Sequence, residues 1–247
     1  MEAVGSGGEP VRIDPDPGRA GGRLLTIGRQ DASYVDLGDP THLDWPYVRR
    51  LGDVADVVRA PGTPIDALHL GGGAATLARY VEATRPRSRQ VVVELDPVVV
   101  ALAREHLGLR THPRLRVRVG DAAALLPRRP DRSADLVVCD AFDADGRVPA
   151  ALTAPGACAE AARVLRPGGI FALNVVDDRG LPLSRAHART LSAAFAHVAV
   201  VVPRALARGR AGGNAIVLAS AAPLPLGALA DRAAGSPDRE ELVTDLG

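Results

Sequence analysis

Two apolar runs that end in ligand-ready groups stand out in this sequence. Leu68-His69-Leu70-Gly71-Gly72-Gly73 carries an apolar strand into a bare glycine turn, and Val91-Val92-Val93-Glu94-Leu95-Asp96 is an apolar strand ending in carboxylates. Glu94 follows Gly73 by 21 positions. Glycines let backbone approach a ligand with no Cβ in the way. An acidic side chain about 20 positions later can accept from ribose hydroxyls. Gly71, Gly72, Gly73 and Glu94 are therefore expected to hold a nucleoside, the chemistry of a transferase or oxidoreductase acting on small molecules. Asp96 precedes Pro97 and is expected mainly to cap the next helix.

Two further strand ends carry carboxylates. Gly120-Asp121-Ala122 follows an apolar run, and a carboxylate there can accept from an exocyclic adenine amine or cap a helix; the two roles are compatible. Asp140-Ala141-Phe142-Asp143-Ala144-Asp145-Gly146 sets three carboxylates within six residues of one another. Such a cluster is costly if buried and unpaired, so it faces solvent or receives a cation. The first reading is a solvated acidic loop. The second is a pocket for a positively charged substrate, with Asp140 close enough to the reacting centre to take a proton.

Other chemistries lack their groups. The 30 basic residues are all arginine, so no lysine is present for a Schiff base or a P-loop. The six histidines are scattered, without zinc-type spacing, and no metal is expected. His69 lies inside a strand and reads as a core histidine. No Gly-x-Ser-x-Gly elbow offers a hydrolase nucleophile. Gly-Gly-Gly-Ala-Ala-Thr fits the spaced dinucleotide fingerprint poorly, which makes a dehydrogenase remote. A net charge of +1 gives no reason to expect nucleic acid. No apolar stretch reaches membrane-spanning length and no leader pattern opens the chain, so a cytoplasmic protein without membrane contact is expected.

The elements that must position these groups follow from hydrophobic periodicity. The chain has 247 residues, of which 47% are hydrophobic and only 3% aromatic, so Ala, Val and Leu must build the core. Strands are expected at 65–70, 90–95, 115–119, 135–140, 170–176, 198–202 and 214–220. Helices are expected at 75–84, 97–107, 149–165 and 183–195, with a short one at 121–126; Arg166-Pro167-Gly168-Gly169 reads as a helix stop. This alternation predicts an α/β fold: a three-layer, Rossmann-like, mostly parallel seven-stranded sheet with helices on both faces. Ligands in such sheets bind outside the carboxyl ends of the strands, at the switch point. Residues 1–20 read as a disordered tail and 21–60 as a small N-terminal β-hairpin and helix. Residues 61–221 read as the nucleoside-binding domain and 222–247 as a loose C-terminal tail. Cys139 and Cys158 read as buried thiols.

From residue 33 to 220 the sequence resembles the spermidine synthase family, whose core is the class I S-adenosylmethionine-dependent methyltransferase fold. The resemblance rests on His69-Leu70-Gly71-Gly72-Gly73, Val93-Glu94-Leu95-Asp96, Val119-Gly120-Asp121-Ala122, Asp135-Leu136-Val137-Val138-Cys139-Asp140 and Val164-Leu165-Arg166-Pro167-Gly168-Gly169. Asp140 and Asp143 as Asp-x-x-Asp, with Pro149 and Leu152-Thr153 beyond, favour the spermidine synthase branch. The resemblance implies that Gly71, Gly72, Gly73, Glu94, Asp121, Ala122 and Asp140 hold the donor. It also implies that Asp140 accepts the proton of the attacking amine, and that Asp143, Asp145 and Tyr47 bind a polyamine. Homodimerisation is implied by the family alone.

Two positions depart from the family. An Asp that binds the donor's amine directly after the glycines is Ala74 here. A Tyr-His-Glu segment reads Tyr47-Val48-Arg49, and Arg49 and Arg50 are expected to repel a polycation. Three functions stay open on this reading. They are aminopropyl transfer from decarboxylated S-adenosylmethionine to a polyamine amine, methyl transfer from S-adenosylmethionine to a small molecule, and nucleoside binding without catalysis.

Overall fold

The computed structural model describes residues 1–236 and 240–244. Twelve strands lie among them: β1 (Glu2–Val4), β2 (Pro10–Pro15), β3 (Gly22–Ile27), β4 (Gln30–Asp36), β5 (Asp66–Leu70), β6 (Arg89–Glu94), β7 (Leu115–Val119), β8 (Ala134–Cys139), β9 (Leu165–Asp177), β10 (His197–Pro203), β11 (Gly213–Ser220) and β12 (Glu240–Val243). The helices are α1 (Pro46–Val57), α2 (Thr76–Thr84), α3 (Pro97–His106), α4 (Ala122–Leu125), α5 (Ala150–Thr153), α6 (Pro155–Val164), α7 (Pro182–Leu191), α8 (Arg204–Ala207) and α9 (Leu226–Ala234).

The last eight strands form one sheet in the order β12-β10-β11-β9-β8-β5-β6-β7. β5 to β9 run parallel; β11, β10 and β12 are antiparallel additions. Residues of β8 are buried throughout, as expected of a central strand covered on both faces. One face packs on α6 and α7 through Val137, Cys139, Phe171 and Ala188; the other packs on α1, α2 and α9 through Leu136, Val138, Leu51 and Leu229. The chain leaves β5 for β6 and β7, then returns to the opposite side of β5 as β8. The switch point therefore lies between the carboxyl ends of β5 and β8, where the Asp140 nitrogen donates to the Leu70 carbonyl at 2.9 Å.

All seven expected strands of this sheet are present, and the eighth, β12, comes from the segment expected to be loose. α9 comes from it too. The spacing of Leu226, Leu229 and Ala233 gives α9 an apolar stripe, with Leu229 and Ala233 buried in the core beneath α1. Arg50 on α1 pairs with Glu240 of β12 at 2.5 Å. Residues 237–239 and 245–247 of that segment lie outside the described residues.

Residues 1–20 are likewise not a tail without structure. In β2, Val11 and Ile13 alternate with exposed Pro10, Arg12 and Asp14. That period of two buries one face against the core formed with Leu25, Val35, Val92 and Val99. The expected hairpin is thus a four-stranded antiparallel sheet, β1-β2-β3-β4. The helix expected at 149–165 divides at Pro155, because the residue before a proline is pushed out of helical conformation; Ala154 is extended. Arg166 to Gly169 lie at the start of β9 rather than in a loop, and the ladder between β8 and β9 shifts register beside them.

Candidate active site

The glycine turn after β5 is dictated by crowding. Gly71 has φ +91°, and a Cβ there would collide with the Asp140 carbonyl. A Cβ on Gly72 would meet the Val92 side chain, and one on Gly73, at φ +46°, the Ser33 hydroxyl. Glu94 closes the turn from β6. Its Oε2 accepts from the backbone nitrogens of Gly72 and Gly73 at 3.1 and 2.8 Å, and its Oε1 accepts from the Asp96 nitrogen at 3.0 Å. The expected pairing of glycines with Glu94 is therefore physical contact across two neighbouring strands.

Asp96 caps α3, accepting from Val98 N at 2.8 Å, and its other oxygen accepts from Ser6 N of the N-terminal sheet at 3.0 Å. Asp121 is exposed and caps α4 through Ala123 N at 2.8 Å, while the Ala122 side chain is buried. Close to them in the chain are two large apolar side chains that sequence reasoning passed over. Leu95 is 69% exposed and Val119 51% exposed, at the carboxyl ends of β6 and β7. Their signal was available: each is an apolar residue at a strand end, within two positions of a carboxylate. An apolar rim of this kind suits the face of a flat ring.

Asp140 lies just past β8 and is half-buried. Its Oδ1 accepts from Asn174 Nδ2 at 2.8 Å, and Asn174 Oδ1 accepts from Asn214 Nδ2 at 3.0 Å. Burial lifts the Asp140 carboxyl from 3.8 to about 6, partly offset by the Asn174 bond. Neither asparagine stood out in the sequence, where each is a lone polar residue within an apolar strand.

Asp140 shares a pocket with Gly71, Gly72, His69, Tyr34, Trp45 and Tyr47. The space open there to a water-sized sphere is about 40 Å³. That is room for about three waters. The chain has one Trp and three Tyr, and Trp45, Tyr34 and Tyr47 all line this pocket. Trp45 and Tyr47 stack with centroids 5.8 Å apart. Burial and the nearby Asp140 carboxylate raise the Tyr47 hydroxyl far above its usual range, so it stays protonated. His69 is a buried histidine as expected, and it also lines the pocket. Its Nε2 bonds Gln90 Oε1 at 3.0 Å, while Gln90 Nε2 is committed to the Ala78 carbonyl at 2.8 Å. Nε2 is therefore the donor and the ring is neutral, and burial lowers its pKa to about 4.

The acidic loop stands apart from this pocket. Asp143 and Asp145 are exposed, and Asp143 Oδ1 accepts from the nitrogens of Asp145 and Arg147 at 3.0 and 2.9 Å, so it shapes its own turn. Arg49 and Arg50 do not present free charge to an incoming polycation. Arg50 is buried between Asp53 and Glu240, each at 2.5 Å, and Arg49 donates to the carbonyls of Leu43 and Asp44. Ala74 is fully buried in the core shared with the N-terminal sheet, so no carboxylate follows the glycines. Among the described residues, no group of three or more His, Cys, Asp or Glu is arranged to hold a metal ion, and no helix is long and apolar enough to cross a membrane.

Sheet order, glycine turn and strand-end carboxylates together define a class I methyltransferase-type fold, and the Methyltransferase domain family matches residues 67–169. A polyamine aminopropyltransferase from Aeropyrum pernix is 32% identical over 144 residues, 56% of this chain and 46% of that protein. An eEF1A lysine and N-terminal methyltransferase from Danio rerio is 30% identical over 129 residues, 49% of this chain and 19% of that protein. This chain thus spans less than half the length of these curated relatives. The structure of a Corynebacterium glutamicum protein described as a probable spermidine synthase superimposes with a TM-score of 0.90 at 26% identity, covering 99% of this chain and 90% of that one. Spermidine synthase from Thermotoga maritima gives a TM-score of 0.69 at 15% identity over 96% of this chain and 77% of that one, a likeness of fold. This chain is thus similar both to spermidine synthases and to methyltransferases built on this fold.

Proposed function

We propose that this chain transfers an aminopropyl group from decarboxylated S-adenosylmethionine to an amine of a small polyamine. The observation that carries this is the placement of Asp140. Its carboxylate, with Oδ2 bonded by no described residue, lines a small aromatic pocket at the switch point, beside the glycine turn. The donor's nucleoside lies along the rim, its ribose hydroxyls toward Glu94, its ring between Leu95 and Val119, and its amine toward Asp121 and Ala122. Gly71, Gly72 and Gly73 admit it closely. The acceptor enters past Asp143 and Asp145, whose charges draw a polycation, and its reacting amine stops between Tyr47 and Asp140.

The reaction forms one N–C bond and breaks one C–S bond; the sulfur keeps the electron pair and methylthioadenosine leaves. The protein's share is alignment of amine and carbon and removal of the amine proton by Asp140. A carboxyl with a pKa near 6 is mostly ionised at neutral pH, and a cationic neighbour keeps it so. No step calls for a metal. The reading includes a cytoplasmic setting and a homodimer.

A second reading is methyl transfer from S-adenosylmethionine. It is favoured by Ala74, since the carboxylate that would hold the donor's amine is missing. Calorimetry with both donors and with methylthioadenosine separates the two. Tighter binding of the decarboxylated donor, and putrescine turnover that Asp140→Asn abolishes, are expected. Preference for the carboxylated donor would reject aminopropyl transfer.

A further inference from the structure

Asp140 has one oxygen committed and one free. Asn174 Nδ2 donates to Oδ1, and no described residue bonds Oδ2. Asn174 is fully buried in β9, a place where an amide must satisfy both its ends. Its oxygen accepts from Asn214 on the adjacent strand β11. Those bonds give the amides one polarity. With Asn214 Nδ2 aimed at Asn174 Oδ1, Asn174 can present only N–H groups to the carboxylate. Were the Asn174 amide reversed, its carbonyl would face a carboxylate oxygen and one of the two would need a proton.

We propose that Asn214 and Asn174 form a two-amide relay that fixes the Asp140 carboxylate with Oδ2 toward the pocket and holds it in its ionised form. Both are positioning residues. The inference rests on the transferase reading for its purpose, but not for its geometry. The titratable groups around Asp140 do not provide a competing explanation. Tyr47 on α1 and His69 on β5 share the pocket and are both uncharged at neutral pH, and Cys139, next to Asp140 in the chain, has its thiol pushed up to about 12 by burial. Asp143 and Asp145 stand out on the exposed loop.

Asn214 is only half-buried, so it can be replaced with less damage to the core than Asn174. The test is a carboxyl-carbon NMR titration of Asp140, assigned by loss of its signal in Asp140→Asn, in the full chain without donor or acceptor. In Asn214→Ala and the milder Asn214→Ser, Asn174 is freed to rotate, and the Asp140 midpoint is expected to rise. In Asn214→Asp, the new carboxylate accepts from Asn174 and turns the Asn174 oxygen toward Asp140; the rise is expected to be largest, about one pH unit or more. An unchanged midpoint in folded Asn214→Ala or Asn214→Ser overturns the relay, even if Asn214→Asp shifts, because a new charge alone would do that. Turnover is then read separately. A rise in the acid limb of kcat that parallels the titration, with the amine KM unmoved, supports the relay's role in transfer. A shifted titration in a protein that transfers nothing keeps the relay and rejects the transferase reading.

Discussion

The backbone nitrogen of Gly73 lies 2.8 Å from Glu94 Oε2, so the carboxylate expected to grip a ribose also holds the glycine turn in shape. An ionised carboxylate offers about four acceptor sites. Gly72, Gly73 and Asp96 occupy three of them. Glu94→Gln exchanges one oxygen for a donor and sets N–H against N–H. Loss of a bond to a charged acceptor costs about 1.5–3 kcal/mol, so methylthioadenosine affinity should fall roughly 10- to 100-fold by calorimetry. Unchanged affinity would remove Glu94 from the binding site.

Gly71 should be far less replaceable than an unhindered glycine elsewhere. Gly71→Ala brings a Cβ against the Asp140 carbonyl at φ +91°. A cost of at least about 2 kcal/mol is expected in urea unfolding, with loss of donor binding. Gly156 in α6 has nothing within 4 Å of an added Cβ, and Gly156→Ala should be neutral or stabilising by up to about 1 kcal/mol.

Asp140 should cost stability at the pH where it is useful. Burial outweighs the opposing Asn174 bond and raises the folded pKa to about 6 from 3.8, so the net effect of folding is to favour the protonated form. The stabilising contribution is complete below pH 3.8 and is lost as pH rises through about 6. Asp140→Asn should therefore be the more stable protein above pH 6, by about 1–2 kcal/mol once solvent at the pocket mouth is allowed for, and have no such advantage below pH 4. Thermal unfolding at pH 4 and pH 7.5 measures the difference; an equal gain at both would contradict the titration.

Arg50 should matter to stability and not to the acceptor. It is buried with Asp53 and Glu240. Arg50→Ala breaks a buried ion network and is expected to destabilise by about 3 kcal/mol in urea, with the amine KM unchanged. A lowered KM would instead revive repulsion of a polycation by this arginine.

The parallel core was readable because its strands are continuous apolar runs between helical periods, as Leu68–Leu70 and Val91–Val93 illustrate. The glycine–Glu94 contact was readable for a related reason, since strand-end residues on neighbouring strands must meet at the switch point. What escaped had weak local patterns. Val11 and Ile13 lie in a stretch rich in Pro, Gly and acidic residues, and pairing with β1 and β3 makes a strand of them. β12 is a four-residue strand whose place is set by long-range pairing with β10 and by Arg50. Asn174 and Asn214 are 40 residues apart, and nothing local marks a partnership that the sheet alone creates.

Trp45 is the only tryptophan in the chain, and it stacks on Tyr47 in the wall of the pocket that Asp140 also lines. Fluorescence excited at the red edge, where tyrosine does not absorb, therefore originates from a single indole lining the pocket where the reacting amine is proposed to stop. The protein carries its own optical reporter, and quenching or a spectral shift on adding an amine follows occupancy directly, without a label and without turnover.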